Sequence, residues 1–503
     1  MSISHLLLCS NLRRPFESQI CQSVAFRATY LRMAVRIGCG ESTCCGKKKV
    51  IFNSSFLIFN LPRRTMTSPI LHSAKKYFSF CEILVTFVGC KLCVMKKLVC
   101  WNKDYRKRAL RVLRKVVVAI ALLAAAATVI TSVSPIYNFK EAHPFSGPDI
   151  YNPYADFDSL NSWKRANFHT HSRIEGFNNE CKYWPAEVLA TYESLGYDIV
   201  TFSNHNEQTA HPKGKAFQSN GYEHGYNLFK YHKLAYGAKD VWHFDHIFPI
   251  LASQKQFQLS QLSGEADIVQ LNHPLRTPTL SKSQLEKLSG YKLIELDSGK
   301  STENEYWDWA LSAGHYSFGV ANDDLHYPDQ SGKIAIRCNF LCTPSTKYED
   351  VLATLKKGCF YSMRLPDYGN GNWEIKREKN KAVPHIKDIS LNNGVISIRF
   401  SEPASLVQMI GQNHTILATT EMCDSIAYEI KDSDPYVRAT AYFPNGEVIY
   451  TNPFARYDAS RQANPFDEGL PQVNILLTIL FNLLLLALCV GDGYLLYKYV
   501  IKR

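Results

Sequence analysis

The chain has 503 residues, enough for two or three domains, and a formal net charge of +12. Such a charge would suit a nucleic-acid-binding protein, but the basic residues crowd beside two apolar stretches. This distribution argues against nucleic acid as a specific partner, and the lack of a sequence repeat argues against a solenoid.

The first 94 residues differ in character from the rest of the chain. Cysteines crowd into this segment without the paired spacing of a zinc site, and Cys90-Lys-Leu-Cys93 has no second pair. Apolar periodicity is poor there, and Met95 is followed by basic residues and an apolar stretch, as at a natural protein start. We therefore hypothesise that 1–94 is either an unstructured extension or translated upstream sequence.

Two apolar stretches, at 116–134 and 474–497, predict transmembrane helices because each is long enough to cross a bilayer. Asn482 and Asp492 weaken the second prediction, since polar groups are costly inside a membrane. Buried core helices are the alternative for both stretches, and a cleaved secretory signal is a further alternative for the first.

Basic residues fix the predicted orientation in the membrane. The segment 95–115 is rich in Arg and Lys and precedes the first span, and the second span is followed by Lys498, Lys502 and Arg503. By the positive-inside rule, 95–115 and the C-terminus are cytoplasmic, and 135–472 lies on the outer, extracytoplasmic side.

The region between the spans divides at about residue 380. A polar segment at 135–165 predicts a linker, and from 166 to 380 strand-like runs alternate with helix-like stretches. This pattern is typical of an α/β fold with a parallel barrel or a doubly wound sheet. The predicted helices are 185–196, 253–263, 281–288, 306–312 and 348–357, and the predicted strands among them are 197–202, 266–271, 291–296 and 316–321.

Residues 381–460 resemble a small β-sandwich. Asn392-Asn393-Gly394 and Asn445-Gly446 predict tight turns between short strands. The predicted strands are 389–391, 395–400, 406–410, 415–419, 425–430, 436–442 and 448–451. We expect this region to cover the preceding domain or to space it from the membrane, with carbohydrate or peptidoglycan binding as the alternative.

Histidines and an aspartate follow successive predicted strands between 166 and 329. His169 and His171 are two residues apart, so in a strand they face the same side and can bind one metal ion. Others of the same kind follow later strands, namely His205, His273, Asp324 and His326. Ligands at the carboxyl ends of successive strands are typical of an α/β-barrel active site.

These motifs resemble those of the polymerase and histidinol phosphatase (PHP) family of metal-dependent phosphoesterases. The motifs, spread over 166–329, are Asn-Phe-His-Thr-His-Ser, Tyr-Asp-Ile-Val-Thr-Phe-Ser-Asn-His-Asn, Leu-Asn-His-Pro and Ala-Asn-Asp-Asp-Leu-His. The resemblance implies a distorted (β/α)7 barrel at 166–380 with two or three divalent metal ions. Imidazole and carboxylate ligands together suit Zn, Mn or Fe.

The resemblance also implies particular roles for residues. The predicted metal ligands are His169, His171, Glu175, His205, Asp245, His246, His273, Asp324 and His326. Of these, His205 and His273 are also predicted catalytic residues, together with Arg276, which could hold a phosphate oxygen. Two features depart from the family pattern. Asn204 replaces the usual aspartate, and the bridging glutamate has no clear match, so Asp245 is its candidate substitute.

The sequence thus predicts a membrane-anchored, metal-dependent phosphoesterase that acts on a phosphorylated substrate and contacts the lipid bilayer through its spans. A non-catalytic binding or scaffold protein that retains the barrel is one alternative. A PHP-type nuclease is another, although no basic groove with stacking aromatic residues surrounds the motifs. The identity of the phosphate ester and the oligomeric state stay open at this point.

Overall fold

The structure is a computed structural model, and it describes residues 103–158, 163–176, 179–213, 221–298, 301–302, 304–466 and 469–502. The extension predicted at 1–94 lies outside these residues. The helices, numbered in chain order, are α1 (Lys103–Ile130), α2 (Pro185–Ser194), α3 (Ala252–Glu265), α4 (Lys282–Leu285), α5 (Asn304–Ser312), α6 (Tyr348–Lys357), α7 (Trp373–Asn380) and α8 (Ile475–Leu496).

The strands are numbered in the same way. They are β1 (Tyr137–Asn138), β2 (Asp149–Tyr151), β3 (Lys164–Asn167), β4 (Ile199–Val200), β5 (Tyr222–His224), β6 (Lys233–Tyr236), β7 (Ile268–Leu271), β8 (Leu293–Ser298), β9 (Ser301–Thr302), β10 (Phe318–Asn322), β11 (Arg337–Leu341), β12 (Phe360–Arg364), β13 (Ile386–Asn392), β14 (Val395–Gly411), β15 (Thr415–Glu429), β16 (Tyr436–Tyr442), β17 (Val448–Thr451), β18 (Phe454–Tyr457) and β19 (Gln472–Val473).

Helices α1 and α8 are long and apolar enough to cross a membrane, and most of their side chains are exposed in the structure. They meet the rest of the chain side by side. β1 pairs with β19 just before α8, and the Ile136 N–H donates to Thr478 Oγ1 at 2.9 Å. Deeper along α8, Asn482 Nδ2 donates to the Ser134 carbonyl at 3.2 Å. The two apolar helices therefore leave the folded region at a common point.

A six-stranded mixed sheet lies in the described part of the chain, in the order β10-β8-β7-β6-β5, with β9 paired to β8. β7, β8 and β10 are parallel, as the alternating pattern predicts, and the residues of β7 and β10 are buried on both faces. The order of β5, β6 and β7 is different because both of their pairings are antiparallel. The fold is therefore mixed α/β rather than purely parallel.

A second sheet runs in the order β13-β14-β16-β17-β12-β11-β3-β4 within the described residues, with β15, β18 and β2 attached beside it. β17 pairs with β12, so the boundary predicted at 380/381 falls inside one hydrogen-bonded sheet. The linker predicted at 135–165 is also partly ordered: β1 and β2 lie within it, and β2 pairs with β18.

Two of the C-terminal strands, β14 and β15, are longer than predicted, whereas β16 and β17 have the predicted bounds. β14 covers two predicted strands, because the chain continues through an irregularity between Arg399 and Ala404. Pro403 lies in that irregularity, where a residue that lacks an N–H removes one ladder hydrogen bond without ending the strand. The predicted turn at Asn393-Gly394 is present, with positive φ angles of 50° and 79°, as a tight hairpin requires.

Two isolated bridges join the two sheets where the strand ends carry histidines. Thr170, which lies beyond β3, bridges to Leu325, which lies beyond β10. His205, which lies beyond β4, bridges to Glu223 in β5. Both bridges are parallel. The strand ends of β3, β4, β5 and β10 are thereby held at one place, and this place is the candidate site.

Candidate metal centre

His169 and His171 form the first wall of the site. They follow β3 directly, and both side chains are buried. The Nε2 atoms of both face the same two carboxylate oxygens. They lie 3.1 and 3.3 Å from Glu223 Oε2 and 3.2 and 3.3 Å from Asp324 Oδ1. These four side chains each offer a ligand atom, and all four atoms lie within 4.8 Å of one another.

Glu223, in β5, is the carboxylate at the middle of the site. Its Oε2 lies 3.3 Å from His205 Nε2, in addition to the two contacts just described. Its Oε1 lies 3.2 Å from His232 Nδ1 and 3.3 Å from His273 Nε2. A second group of possible ligands, with His205, Glu223 and His232, therefore shares this glutamate with the first. Because both oxygens of Glu223 face possible ligands, and because the glutamate belongs to both groups, it has the arrangement of a bridge between two ions.

A third group lies on the more open side. Glu180 Oε2 is 3.1 Å from His326 Nε2 and 3.3 Å from His205 Nε2, and His171 Nδ1 is 4.0 Å away. A neutral imidazole has one lone pair, so His171 can serve the first group or the third group, not both. Two complete groups and one partial group follow from this count.

Hydrogen-bond geometry separates these contacts from ordinary ion pairs. In the described part of the chain, the buried Nε2 atoms of His169 and His171 form no hydrogen bond, although carboxylate oxygens lie 3.1–3.3 Å away. Both nitrogens instead lie, with two carboxylate oxygens, in a group whose ligand atoms are all within 4.8 Å of one another. The donor set, imidazole nitrogen with carboxylate oxygen, fits Zn, Mn or Fe(II).

Residues behind the ligands hold them in place. His169 Nδ1 lies 3.0 Å from Glu295 Oε1 in β8, and the other oxygen of Glu295 accepts the His273 backbone N–H at 2.9 Å. Asn322 Nδ2 donates to Glu295 Oε1 at 3.2 Å, and Asn272 Nδ2 donates to Glu223 Oε1 at 2.9 Å. Carboxylates behind metal-bound histidines fix the ring orientation and the tautomer.

The electrostatics favour anionic carboxylates. Burial alone would raise the pKa of Glu223, but His169, His205 and His232 outweigh it and hold that pKa well below its usual range. Burial would also raise the pKa of Asp324, but His169 and His171 outweigh this effect and hold that pKa well below its usual range. Hydrogen bonds from His205 and His326 lower the pKa of Glu180. The site therefore presents negative charge that only protonated imidazoles or cations can balance.

The backbone is unusual at two site residues. Asp324 has a φ of 48° and His273 a φ of 25°, both in the region that residues with a side chain rarely adopt. Such conformations cost about 1–3 kcal/mol each and are concentrated at functional sites. At Asp324 the conformation directs one oxygen to the histidines and the other to the Arg276 guanidinium, with which it is paired.

Most of the predicted site residues come together at this place, namely His169, His171, His205, His273, Arg276, Asp324 and His326. Glu175 does not, because it is exposed, and Glu180 is the nearby carboxylate at the histidines. Asp245 and His246 lie elsewhere. Asp245 Oδ2 accepts the N–H groups of Tyr226 and Asn227, and His246 Nδ1 contacts Gln258 Nε2 at 2.8 Å.

Glu223 and His232 are functional residues that the sequence analysis missed. β5 is only three residues long and has no apolar run, so no strand signal marks Glu223. The β5–β6 hairpin brings both residues to the site, with His224 opposite Lys233. An acidic residue followed by a histidine across a hairpin is the signal that could have found them.

Comparisons with known proteins give little support beyond this geometry. No family model matches the chain, and no curated protein matches it. Among the solved structures that are similar is a two-domain protein from Bacteroides vulgatus that contains a predicted PHP-like metal-dependent phosphoesterase. It is 14% identical over 63% of this chain and 100% of that chain, with a TM-score of 0.33. At that score the similarity carries no argument, and the function must be argued from the site.

Proposed function

We propose that this chain is a membrane-anchored, metal-dependent phosphoesterase of the PHP type. One observation carries the proposal: the buried carboxylate of Glu223 faces five histidines, with Oε2 toward His169, His171 and His205 and Oε1 toward His232 and His273. The proposed barrel is the ring β3-β4-β5-β6-β7-β8-β10, with the two isolated bridges as its closing contacts.

Two divalent ions are the proposed minimum. His169, His171, Glu223 and Asp324 would hold one ion, and His205, Glu223 and His232 would hold the other. Ions in this arrangement polarise a phosphoryl oxygen and lower the pKa of water, which is the chemistry that phosphate ester hydrolysis needs.

The side chains around the ligands have separate tasks. Arg276 is partly exposed beside Asp324, so its guanidinium can turn to a phosphate oxygen while it stays at the edge of the centre. With His171 in the first group, His326 and Glu180 remain as an imidazole–carboxylate pair at the open side. We assign the proton for the leaving oxygen to the His326–Glu180 pair, in which the proton lies between His326 Nε2 and Glu180 Oε2, 3.1 Å apart. Of the two predicted catalytic histidines, His205 is thereby assigned as a metal ligand beside Glu223. His273 is assigned as a neighbour of the Glu223 carboxylate.

The scaffold alternative loses both observations that suggested it. The glutamate without a sequence match is supplied by Glu223. Asn204, which stands where the family has an aspartate, supports the chain beside the site: its Oδ1 accepts the Ser172 N–H at 2.9 Å, and its Nδ2 donates to Thr209 Oγ1 at 2.7 Å.

The function is tested with the purified full-length chain. Without chelator, we expect about two divalent ions per chain. With Mn, Zn or Fe(II) supplied, we expect hydrolysis of simple phosphate esters. Binding of metal without hydrolysis of any mono- or diester would favour the scaffold, and less than one ion per chain would contradict the proposal.

The proposed topology places α1 and α8 across the membrane, with residues 135–472 on the outer side. The basic residues before the apolar part of α1 and after α8 support this orientation. Protease added to intact cells, of which only the outer layer has been permeabilised, should digest 135–472 and leave a reporter fused after Arg503 protected. Protection of 135–472 with digestion of the reporter would reverse the topology.

A further inference from the structure

An apolar rim lies between the metal centre and the membrane helices. It is formed by three segments, 225–231, 247–251 and 274–280, which we call the rim. Leu228 is 67% exposed, Ile250 53% and Leu275 46%, and Leu251 is also exposed. The rim's charged residues are Lys230 and Arg276, both basic. A surface of exposed aliphatic side chains with basic charge suits a layer of anionic lipid.

The rim is fastened to the end of α1. The Ile247 N–H donates to Thr131 Oγ1 at 3.4 Å, directly after the last residue of α1. Gln254 lies nearby, as the third residue beyond the 247–251 segment, and its Nε2 donates to the Ser132 carbonyl at 3.4 Å. The rim thus begins where the proposed membrane span ends, so its apolar side chains lie at the level of the bilayer surface.

The three rim segments are held to one another as a rigid unit. The Leu228 N–H donates to the Ile247 carbonyl at 3.1 Å, and the rings of Phe229 and Phe248 pack at 5.2 Å. Thr279 Oγ1 donates to the Pro249 carbonyl at 2.9 Å. The exposure of the leucine and isoleucine side chains is therefore built into the fold, and it leaves apolar area in water that a bilayer would cover at about 25 cal/mol per Å².

Two of the same segments border the metal centre. Tyr226, three residues after Glu223, donates its hydroxyl to the His205 carbonyl at 2.8 Å. In the third segment, Leu275 stands between His273 and Arg276 in the short 3-10 helix Pro274–Arg276. Another side of the centre is charged and exposed, with Glu180 at His326 and Lys182 paired to Asp329 at 3.7 Å. The mouth is therefore apolar toward the membrane and polar away from it.

We infer that the substrate is a phosphate ester of a membrane lipid, whose acyl chains stay in the bilayer while its phosphate reaches the metal centre past the rim. This rests on the proposed function. In the reaction a P–O bond to water forms and the P–O bond to the leaving oxygen breaks. The proton lost by the water is balanced by the proton gained by that oxygen, so no other reactant is required. Lys230 and Arg276 are the rim cations that meet the lipid phosphate.

Membrane contact is tested apart from catalysis. The full-length chain, with benzoylphenylalanine in place of Leu228, Ile250 or, as a matched exposed control, Ile416, is reconstituted into phosphatidylglycerol-containing vesicles and irradiated. We expect lipid adducts by mass spectrometry at the two rim positions and none at Ile416. Adducts at all three positions or at none, or cross-links from the rim to a second copy or another protein instead of lipid, would overturn the inference.

Substrate class is tested by a ratio of rates. The double variant Leu228→Ser/Ile250→Ser should lower hydrolysis of phosphatidic acid in vesicles, relative to para-nitrophenyl phosphate, by about tenfold, while Ile416→Ser leaves the ratio unchanged. Hydrolysis of the soluble ester with an unchanged ratio would overturn the lipid substrate and leave the proposed function standing. Hydrolysis of neither ester, with metal bound, would overturn both.

Discussion

Two buried groups of charge in this protein serve opposite purposes. In one, Arg438 of β16 binds Asp308 of α5 through two hydrogen bonds of 2.8 and 2.6 Å, and Tyr436 donates to the same carboxylate at 3.1 Å. In the other, imidazoles surround Glu223 while the Nε2 atoms of His169 and His171 form no hydrogen bond in the described part of the chain. Both are almost inaccessible to solvent.

The difference lies in how the polar atoms are satisfied. The third guanidinium nitrogen of Arg438, Nη1, donates to Thr440 Oγ1 at 3.0 Å, so every nitrogen of that group has a partner within the protein and the group stabilises the fold. The group at Glu223 is complete only with something positive added. Burial therefore does not distinguish a structural ion pair from a binding site. What distinguishes them is whether the buried polar atoms have hydrogen-bond partners within the protein.

The largest expected effect is on the structural pair. Asp308→Ala leaves the Arg438 guanidinium buried without its counter-charge, and we expect a loss of about 3–5 kcal/mol in the free energy of unfolding. Asp432→Ala is the matched control, because Asp432 pairs with Arg456 on the surface, and it should change the unfolding midpoint much less. Denaturant titration measures both. If the two variants unfold alike, the Asp308–Arg438 pair is not what stabilises this region.

Glu223→Gln should have the next largest effect, on activity rather than on stability. The amide keeps the size of the side chain and removes the charge that both ligand groups share. We expect the loss of about one metal ion per chain and a fall in hydrolysis of about 10²–10³-fold, the scale of a lost charge-stabilising group. Elemental analysis and rates are compared with Glu265→Gln, an exposed glutamate. Full metal content in Glu223→Gln would show that Glu223 is not a metal ligand.

A smaller effect is expected from the residue behind His169. Glu295→Gln keeps an oxygen within reach of His169 Nδ1 but weakens the hydrogen bond that orients the ring. Metal affinity should fall by about 10–100-fold, the range for such supporting carboxylates. Competition with a fluorescent chelator measures the affinity, and Glu286→Gln, which alters a surface pair with Lys282, serves as the control. Equal affinity in both variants would mean that Glu295 does not support the ligand.

The smallest expected effect is on hydrolysis, and it distinguishes Glu175, the ligand predicted from the sequence, from Glu180, the carboxylate that lies at the histidines. Glu175→Gln should change neither metal content nor activity, because the side chain is exposed away from the histidines. Glu180→Gln should slow hydrolysis, since Glu180 positions His326. Rates at saturating metal concentration compare the two variants. A defect in Glu175→Gln and none in Glu180→Gln would restore the prediction made from the sequence.

The sequence predicts the parts of the site that follow clear strands. His273 and Asp324 follow β7 and β10, whose apolar runs are visible in the sequence, whereas His169 and His171 follow β3 and are marked by their own two-residue spacing. The two apolar helices are equally visible by length and composition. For these residues, one local pattern fixes both the element and the place of the side chain.

Glu223 could not be found in this way because its position depends on pairing rather than on a local pattern. β5 is short, and antiparallel contacts with β6 replace the strand–helix–strand order that the alternating pattern predicts. Asp245 is its candidate substitute in the sequence because it lies among apolar residues in 242–250, a motif-like segment between His205 and His273. In the structure those apolar residues belong to a loop, in which Asp245 binds backbone N–H groups. Contacts between distant segments carry no signal in a single sequence.

The central claim is that Glu223 bridges two metal ions. Electron paramagnetic resonance of the full-length chain loaded with Mn(II) tests it most directly, because two ions that share a carboxylate couple their spins. We expect the signal of a coupled pair, which Glu223→Gln converts to that of isolated Mn(II). An isolated Mn(II) signal from the unaltered chain at full loading would contradict the bridge.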